Sequence, residues 1–475
     1  MPDSSTRPNE NRPNENRANE TRPLLLSAFD MPTPVHQSPG LWRHPEDRSS
    51  EYTDIGYWVQ LAQTLEQGGF HNLFFADVLG QYDVYRGSAD EAVRGGVQYP
   101  LLDPTVLVPA LAQATTRLGF GVTASTGYEH PYLLARRLST LDHVTRGRLA
   151  WNIVTSYQDS AARNLGLTQQ LGHDARYERA EEYLDVLYRL WEGTFDDGAV
   201  RRDRESGVYT DPAGVRGAGH EGEAFSVPGP ALVEPSPQRT PYLFQAGASS
   251  RGQQFAARHA EAIFLIGHTP QVVAGWVRTI REQVAAEGRD PRSVKILTGV
   301  TVIADRTDEA ARERLESYRP YVDVDAALAL FAGWTGVDLS TADPDAPLEH
   351  AVTDANQSAL AAFTKLDADA RWTPRRLAEF VGIGGRGPVI TGSGATVADE
   401  LERWVAEADV DGFNVISAVR PADTESFVRR VSPELFRRGM LEPARAGATL
   451  RETLSGAGPA LPADHHGAGF RHARV

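Results

Sequence analysis

Eight short apolar runs, each followed by a segment with helical spacing, most restrict what this chain can fold into. They are Leu24–Phe29, Leu73–Ala76, Leu118–Val122, Arg148–Val154, Tyr242–Gln245, Ala262–Ile266, Val294–Ile303 and Phe413–Ile416. A short continuous apolar run suits a strand buried on both faces, the condition of a parallel sheet covered by helices. The helical segments are read at Tyr52–Gln67, Val106–Ala114, Pro131–His143, about 172–192, Gln253–His259, Gln271–Ala286, Asp308–Tyr318, Ala398–Ala408 and Glu425–Arg438. Gly68-Gly69 gives the first of them a C-terminal stop. Strands alternating with helices make an α/β fold, a (β/α)8 TIM barrel with insertions. A doubly wound open sheet is the alternative, and from the pattern alone only the count of eight favours closure.

Two stretches break the alternation and read as excursions from the barrel. Thr194–Gln238 is rich in Gly, Pro and Asp, and 320–390 carries Phe331, Trp334 and the glycine run at 382–387. Residues 1–22 repeat R-P-N-E-N with almost no apolar side chain and read as a disordered tail, because nothing there offsets the entropy of ordering. The barrel then occupies 23–440, and 441–475 forms an extension that wraps the surface or a neighbouring subunit.

Composition removes several classes of function. The chain of 475 residues carries a formal charge of −15 and has no basic stripe beyond the first residues, which argues against nucleic acid as a partner. With no cysteine there is no disulfide, thiol catalysis or cysteine-held metal. No apolar stretch is long enough to span a membrane and no secretory signal opens the chain, so a cytoplasmic location is expected. His44 with Glu46 and Asp47, and Asp464-His465-His466, lack a spaced third metal ligand. No G-x-S-x-G occurs. Gly382-Ile383-Gly384-Gly385-Arg386-Gly387 matches G-x-G-x-x-G, but it follows a helical stretch and precedes Pro388, the reverse of a dinucleotide turn. It reads as a flexible turn near the mouth of the site.

In a barrel the active site lies at the C-terminal ends of the strands. There the chain places Asp77, Thr123, Asn152, Ser249, Ser250 and His268, although any solvent-facing loop start would also be polar. His173 and Tyr177 share one face at the start of a long helix, where unpaired N–H groups and the dipole favour an anion. Surface and packing roles are the competing reading for both. His36, in the loop after the first strand, overlies the mouth and is the candidate for the reactive side of the site. A solvated loop histidine is the alternative.

The order of motifs adds to this. W-N-I-V-T-S, D-S-A-A-R-N-L-G and H-D-A-R-Y-E-R-A follow one another from Trp151. GLWRHPEDRSSEYTDIGYWVQLAQTLE, FFADVLGQYDVY, GVTASTGYEHPYLLARRLSTLDH, EPSPQRTPYLFQAGASSRG and EFVGIGGRGPVITGS stand in their places around them. From about Pro23 to Met440 the chain resembles the bacterial-luciferase-like flavin monooxygenases, in the group of nitrilotriacetate monooxygenase, dibenzothiophene-sulfone monooxygenase and pristinamycin synthase. The resemblance implies a TIM barrel and FMN, held by Asp77, Thr123, His173, Tyr177, Ser249 and Ser250. His173, Tyr177 and the serines would take the phosphate, and Asp77, Thr123 and Asn152 the flavin ring or ribityl chain. It also implies the oxygenase component of a two-component system. A separate NAD(P)H:flavin reductase would deliver FMNH2, and O2 would react through a flavin C4a-(hydro)peroxide on a small-molecule substrate. A homodimer or homotetramer is expected. No cluster of Arg or Lys lies at the strand ends, and W-T-G-V-D-L-S resembles the sulfone and antibiotic branch, so the expected substrate is apolar or aromatic. A deazaflavin- or flavin-dependent hydride-transfer enzyme and a non-catalytic flavin-binding protein remain as alternatives.

Overall fold

The computed structural model describes residues 23–246, 249–348 and 372–471. The segment expected to be a tail, 1–22, and the middle of the second excursion lie outside the described residues.

Eight parallel strands close on themselves. They are β1 (Leu25–Asp30), β2 (Asn72–Phe75), β3 (Gly119–Ser125), β4 (Leu149–Val154), β5 (Tyr242–Ala246), β6 (Ala262–Leu265), β7 (Lys295–Ala304) and β8 (Gly412–Ile416). Each pairs with the next in chain order, and β8 returns to β1 with Gly412 opposite Leu25. Gly412 is needed at that seam, because a Cβ there would lie 2.0 Å from the Leu25 carbonyl oxygen. The closed (β/α)8 barrel expected from the sequence is therefore the observed fold.

The longer helices are α1 (Ile55–Gln67), α2 (Pro104–Ala114), α3 (Pro131–Val144), α4 (His173–Tyr188), α5 (Ser250–His259), α6 (Pro270–Ala286), α7 (Asp308–Tyr318), α8 (Val324–Thr335), α9 (Pro374–Gly384), α10 (Gly394–Ala408) and α11 (Ala422–Arg430). α1 to α6 with α10 and α11 form the outer ring. Several start where a side chain takes over an orphan N–H: Asp54 for α1, Asp103 for α2, Ser249 for α5 and Thr269 for α6.

The strand period of two divides the core. In β2, Leu73 and Phe75 pack outward in the large cluster with the helices, while Phe74 points to the barrel axis. There it meets Phe29, Phe244 and Phe264 edge-on, with ring centroids 5.3 to 5.7 Å apart. Leu450 and Leu454 of the C-terminal extension join this inner cluster and close the bottom of the barrel. Between them Arg451 is fully buried and pairs with Glu261 at 2.6 and 2.8 Å. At the opposite end α8 and α9 pack with Tyr82, Tyr85 and Val97 from the loop after β2.

Three features depart from the sequence reading. Val389–Gly392 is a ninth strand of the sheet, laid beside Thr301–Ala304 of β7, and it begins at the end of what reads as excursion. The helix expected over 425–438 divides at Val431 into α11 and a short helix Ser432–Arg437, whose second residue is Pro433, with no N–H to extend α11. The long helix expected through Glu192 is α-helical only to Tyr188 and finishes in a π-wound turn, Arg189–Gly193. The stretch 194–238 holds two small antiparallel hairpins, Val200–Asp203 with Val208–Thr210 and His220–Glu221 with Ser226–Val227.

Candidate active site

The loops at the C-terminal ends of the strands enclose a cavity of about 760 Å3, adjoined by an inner one of about 170 Å3. The two share Asp77, Val78, Gln98, Thr123, Val154, Tyr157 and Ala246 as walls. Together they form one site, a wide outer chamber leading to a small inner end against the barrel aromatics Phe29, Phe74 and Phe264.

At the outer chamber two helix starts converge. His173 is the first residue of α4, whose N-cap Gly172 offers no side-chain cap, and Ser249 is the N-cap of α5. His173 Nε2 lies 3.3 Å from Ser249 Oγ, and its ring packs on Tyr177 with centroids 5.3 Å apart. Tyr177 is buried, not surface-exposed, and burial pushes its phenol above the usual range. Gly252 completes the cradle, since a Cβ there would sit 2.8 Å from the Tyr177 hydroxyl and 2.9 Å from Ser249 Oγ. The structure thus brings His173, Tyr177 and Ser249 into one donor cluster. Ser250 does not join them: as the first residue of α5 its side chain is exposed and lines neither cavity.

Farther in, Thr123 of β3 and Asn152 of β4 are register partners, directly opposite each other. Thr123 Oγ1 donates to the Phe75 carbonyl at 2.8 Å, so it must accept from Asn152 Nδ2, also at 2.8 Å. This fixes the amide of Asn152 and leaves its buried Oδ1 without a partner, an acceptor held ready in the inner cavity. Asp77, at the end of β2, lines both cavities. Burial first, then the negative charge of Asp103, pushes its carboxyl up to about 8, so it is protonated at neutral pH and can donate.

His36 is not a solvated loop histidine. It is buried, lines the inner cavity and packs edge-on against Phe29 at 4.5 Å. Burial, reinforced by the Arg420 charge, holds its imidazole well below the ordinary range and therefore neutral. Its Nε2 lies 3.3 Å from Gln37 Nε2 and accepts from that amide, and the ring also bonds the Phe29 backbone. The loop that carries it is fixed by Arg420, which pairs with Asp30 at 2.6 Å and donates to the Thr33 carbonyl at 2.7 Å. His268, a strand-end residue in the sequence, packs against Trp372 and Phe380 and lines neither cavity.

Tyr157, Tyr82 and Gln98 were not legible as site residues. Tyr157 donates to Tyr82 at 2.9 Å, Tyr82 to Gln98 Oε1 at 2.9 Å, and Gln98 Nε2 to the His36 carbonyl at 2.9 Å, a directed chain along the boundary of the two cavities. Arg386 and Trp334 reach the inner end from the second excursion. The glycines flanking Arg386 were the available signal. The G-x-G-x-x-G segment is a turn only in its second half: Gly382 and Gly384 belong to the last turn of α9, packed against Val322 and Val389, while Gly385–Gly387 turn out of the helix and carry Arg386 to the site.

A closed barrel with a two-chamber cavity at its strand ends is the frame of an enzyme acting on a small molecule. The model of luciferase-like monooxygenases matches residues 39–412, and the chain belongs to that family. It is 47% identical over 453 residues to the dimethyl-sulfide monooxygenase of Hyphomicrobium sulfonivorans, covering 95% of this chain and 94% of that one. It is 44% identical to the long-chain alkane monooxygenase of Geobacillus thermodenitrificans, covering 95% and 99%. Among solved structures, a riboflavin lyase holding modified FMN and riboflavin superposes with a TM-score of 0.89 at 35% identity, covering 95% and 100%. The chain is accordingly a monooxygenase. No helix among the described residues is long and apolar enough to cross a membrane.

Proposed function

We propose that this chain is the oxygenase component of a two-component, FMNH2-dependent monooxygenase acting on a compact apolar substrate. The observation that carries the reading is the donor cluster of His173, Tyr177 and Ser249 at two converging helix starts, set at the wide end of a chamber that narrows to an aromatic pocket. The residues fit FMN: the cradle a Cβ at Gly252 would fill matches a phosphate, and the orphan Asn152 Oδ1 matches a ring N–H.

His173, Tyr177 and Ser249 would hold the phosphate, with Thr123 and Asn152 on the ring or ribityl chain. Asp77, kept protonated, would donate a hydrogen bond to a ring acceptor. His36, neutral and fixed by two bonds, orients the inner wall without releasing a charge into it. Reduced FMN, when bound, supplies the two electrons that let one atom of O2 enter the substrate while the other leaves as water. The protein's part is to bind, orient and exclude bulk water from the inner chamber, where electrostatic interactions are then stronger. Phe29, Phe74, Phe264 and Ile266 give that chamber an apolar wall against which an uncharged substrate can lie. The name of the dimethyl-sulfide relative points the same way. A separate reductase is supported by the fate of the G-x-G-x-x-G segment, whose first glycines are packed inside a helix end and present no dinucleotide turn.

The test supplies photoreduced FMN, 18O2 and a panel of dialkyl sulfides and short alkanes, with no reductase present. Heavy oxygen in one organic product is expected. Peroxide as the sole oxygenated product across the panel refutes the substrate class. Rapid bleaching of FMN by NADH or NADPH alone refutes the need for a reductase.

A further inference from the structure

Arg386 has no role in the reading above, yet it is the side chain the fold places most deliberately. Gly385 before it sits at φ +61°, where a Cβ would lie 2.0 Å from Gln37 Oε1. A Cβ on Gly387, after it, would lie 2.8 Å from the Gly299 carbonyl oxygen. The backbone on both sides is thus pressed against neighbours that only glycine tolerates, and Arg386 is directed into the inner cavity. Its guanidinium lies over the Trp334 ring, 5.2 Å from the centroid, beside Tyr82 and Tyr157.

Among the described residues no carboxylate forms an ion pair with it, and its Nε is buried without a hydrogen-bond partner. The nearby polar groups are committed elsewhere. Tyr157, Tyr82 and Gln98 donate along their own chain to the His36 carbonyl, and Asp30 is paired with Arg420. Asp77, on the same wall, is held in its neutral form at pH 7. An arginine does not shed its proton, so a part-buried guanidinium that faces a cavity with no counter-charge is placed to meet a ligand that brings one.

Resting on the FMN reading above, we infer that Arg386 binds the anionic ring of reduced FMN and makes the site prefer the reduced cofactor over the oxidised one. The phosphate end is already held at the outer chamber, so the ring end extends toward the inner one. Reduction turns a neutral isoalloxazine into one that is anionic at neutral pH, whereas the phosphate carries the same charge in both states. A cation at the inner end therefore discriminates redox state, which the phosphate cluster cannot do. The relatives' substrates, a dialkyl sulfide and alkanes, carry no charge that would need this arginine.

The experiment measures, under anaerobic conditions, the dissociation constants of oxidised and reduced FMN for the full chain and for R386Q and R386K. Wild type is expected to favour the reduced form. R386Q should lose at least tenfold of that preference, which equals a fall of about 30 mV in the potential of the bound two-electron couple. R386K, which keeps the charge but loses the planar stacking on Trp334, should lose less of the preference than R386Q. The flavin-free R386Q protein should melt no lower than wild type, because the cation removed has no carboxylate partner among the described residues. An unchanged preference in R386Q overturns the inference, and so does a collapse in R386K. Should wild type bind neither form, the cofactor reading itself falls, an outcome distinct from both.

Discussion

At the scale of single residues, the phosphate cluster separates binding from folding. The His173 side chain is largely covered but stands at a helix start with no core role, and Tyr177→Phe keeps the buried ring while removing the hydroxyl. His173→Ala or Tyr177→Phe should each cost about 1.5–3 kcal/mol of FMN affinity, the value of a hydrogen bond to a charged group. That is roughly a ten- to hundredfold rise in Kd, with the melting temperature unchanged. Fluorescence titration with FMN checks it, and equal affinity in both variants would remove the phosphate assignment. Asp77 gives a second handle. Unfolded, its carboxyl ionises near 3.8, and folded, at about 8. Between these values the folded chain retains a proton that the unfolded chain has released. The stability tied to Asp77 is thus complete below about pH 4 and declines as pH rises through about 8. Melting temperatures of wild type and Asp77→Asn, compared from about pH 5 to about pH 9, should shift steadily in favour of the variant. Parallel curves would show an ordinary carboxylate. His173, Tyr177, Asp77, Thr123, Asn152 and Ser249 were legible as cavity residues because each stands at a strand end or helix start. Ser250 failed as such because one step along a helix rotates the side chain away.

At the scale of elements, the start of α5 shows local stability and site shape opposing each other. Gly252 lies in the first turn of that helix, where alanine has the better propensity, by roughly 1 kcal/mol in a helix interior. The same methyl would press on the Tyr177 hydroxyl and Ser249 Oγ. Gly252→Ala is therefore expected to move the denaturation midpoint little, the gain in propensity and the close contacts opposing each other, while weakening FMN binding. Unimpaired FMN binding would place the phosphate elsewhere. The barrel strands and most helices were legible because their apolar periods are local properties of the chain. Val389–Gly392 was not, since a four-residue strand with alternating burial becomes one only by meeting the upper half of β7. Pro433 marked the break of the last helix, but the apolar spacing on both sides of it concealed the break.

At the scale of the whole molecule, the barrel is sealed from below by its own C-terminal extension. Arg451 donates to Glu261 and to the Thr240 carbonyl at 2.8 Å, with nothing exposed. Arg451→Ala would strand Glu261 in the core and should lower stability by about 3–5 kcal/mol. The urea midpoint reads this directly, and a loss below about 1 kcal/mol would mean that the pair is dispensable. The amino-acid sequence by itself determined the eight strands, the helices between them, the closure they favour and the polar residues at the strand ends. All of these follow from backbone periodicity and from residues whose place is set within a few positions along the chain. The tertiary structure alone decided that His36 is buried and neutral, that Arg451 meets Glu261, and that Arg386 stands unpaired beside Trp334 at the inner end of the cavity. The burial and partner of a charge depend on neighbours brought from distant parts of the chain, and no spacing rule in the sequence encodes them.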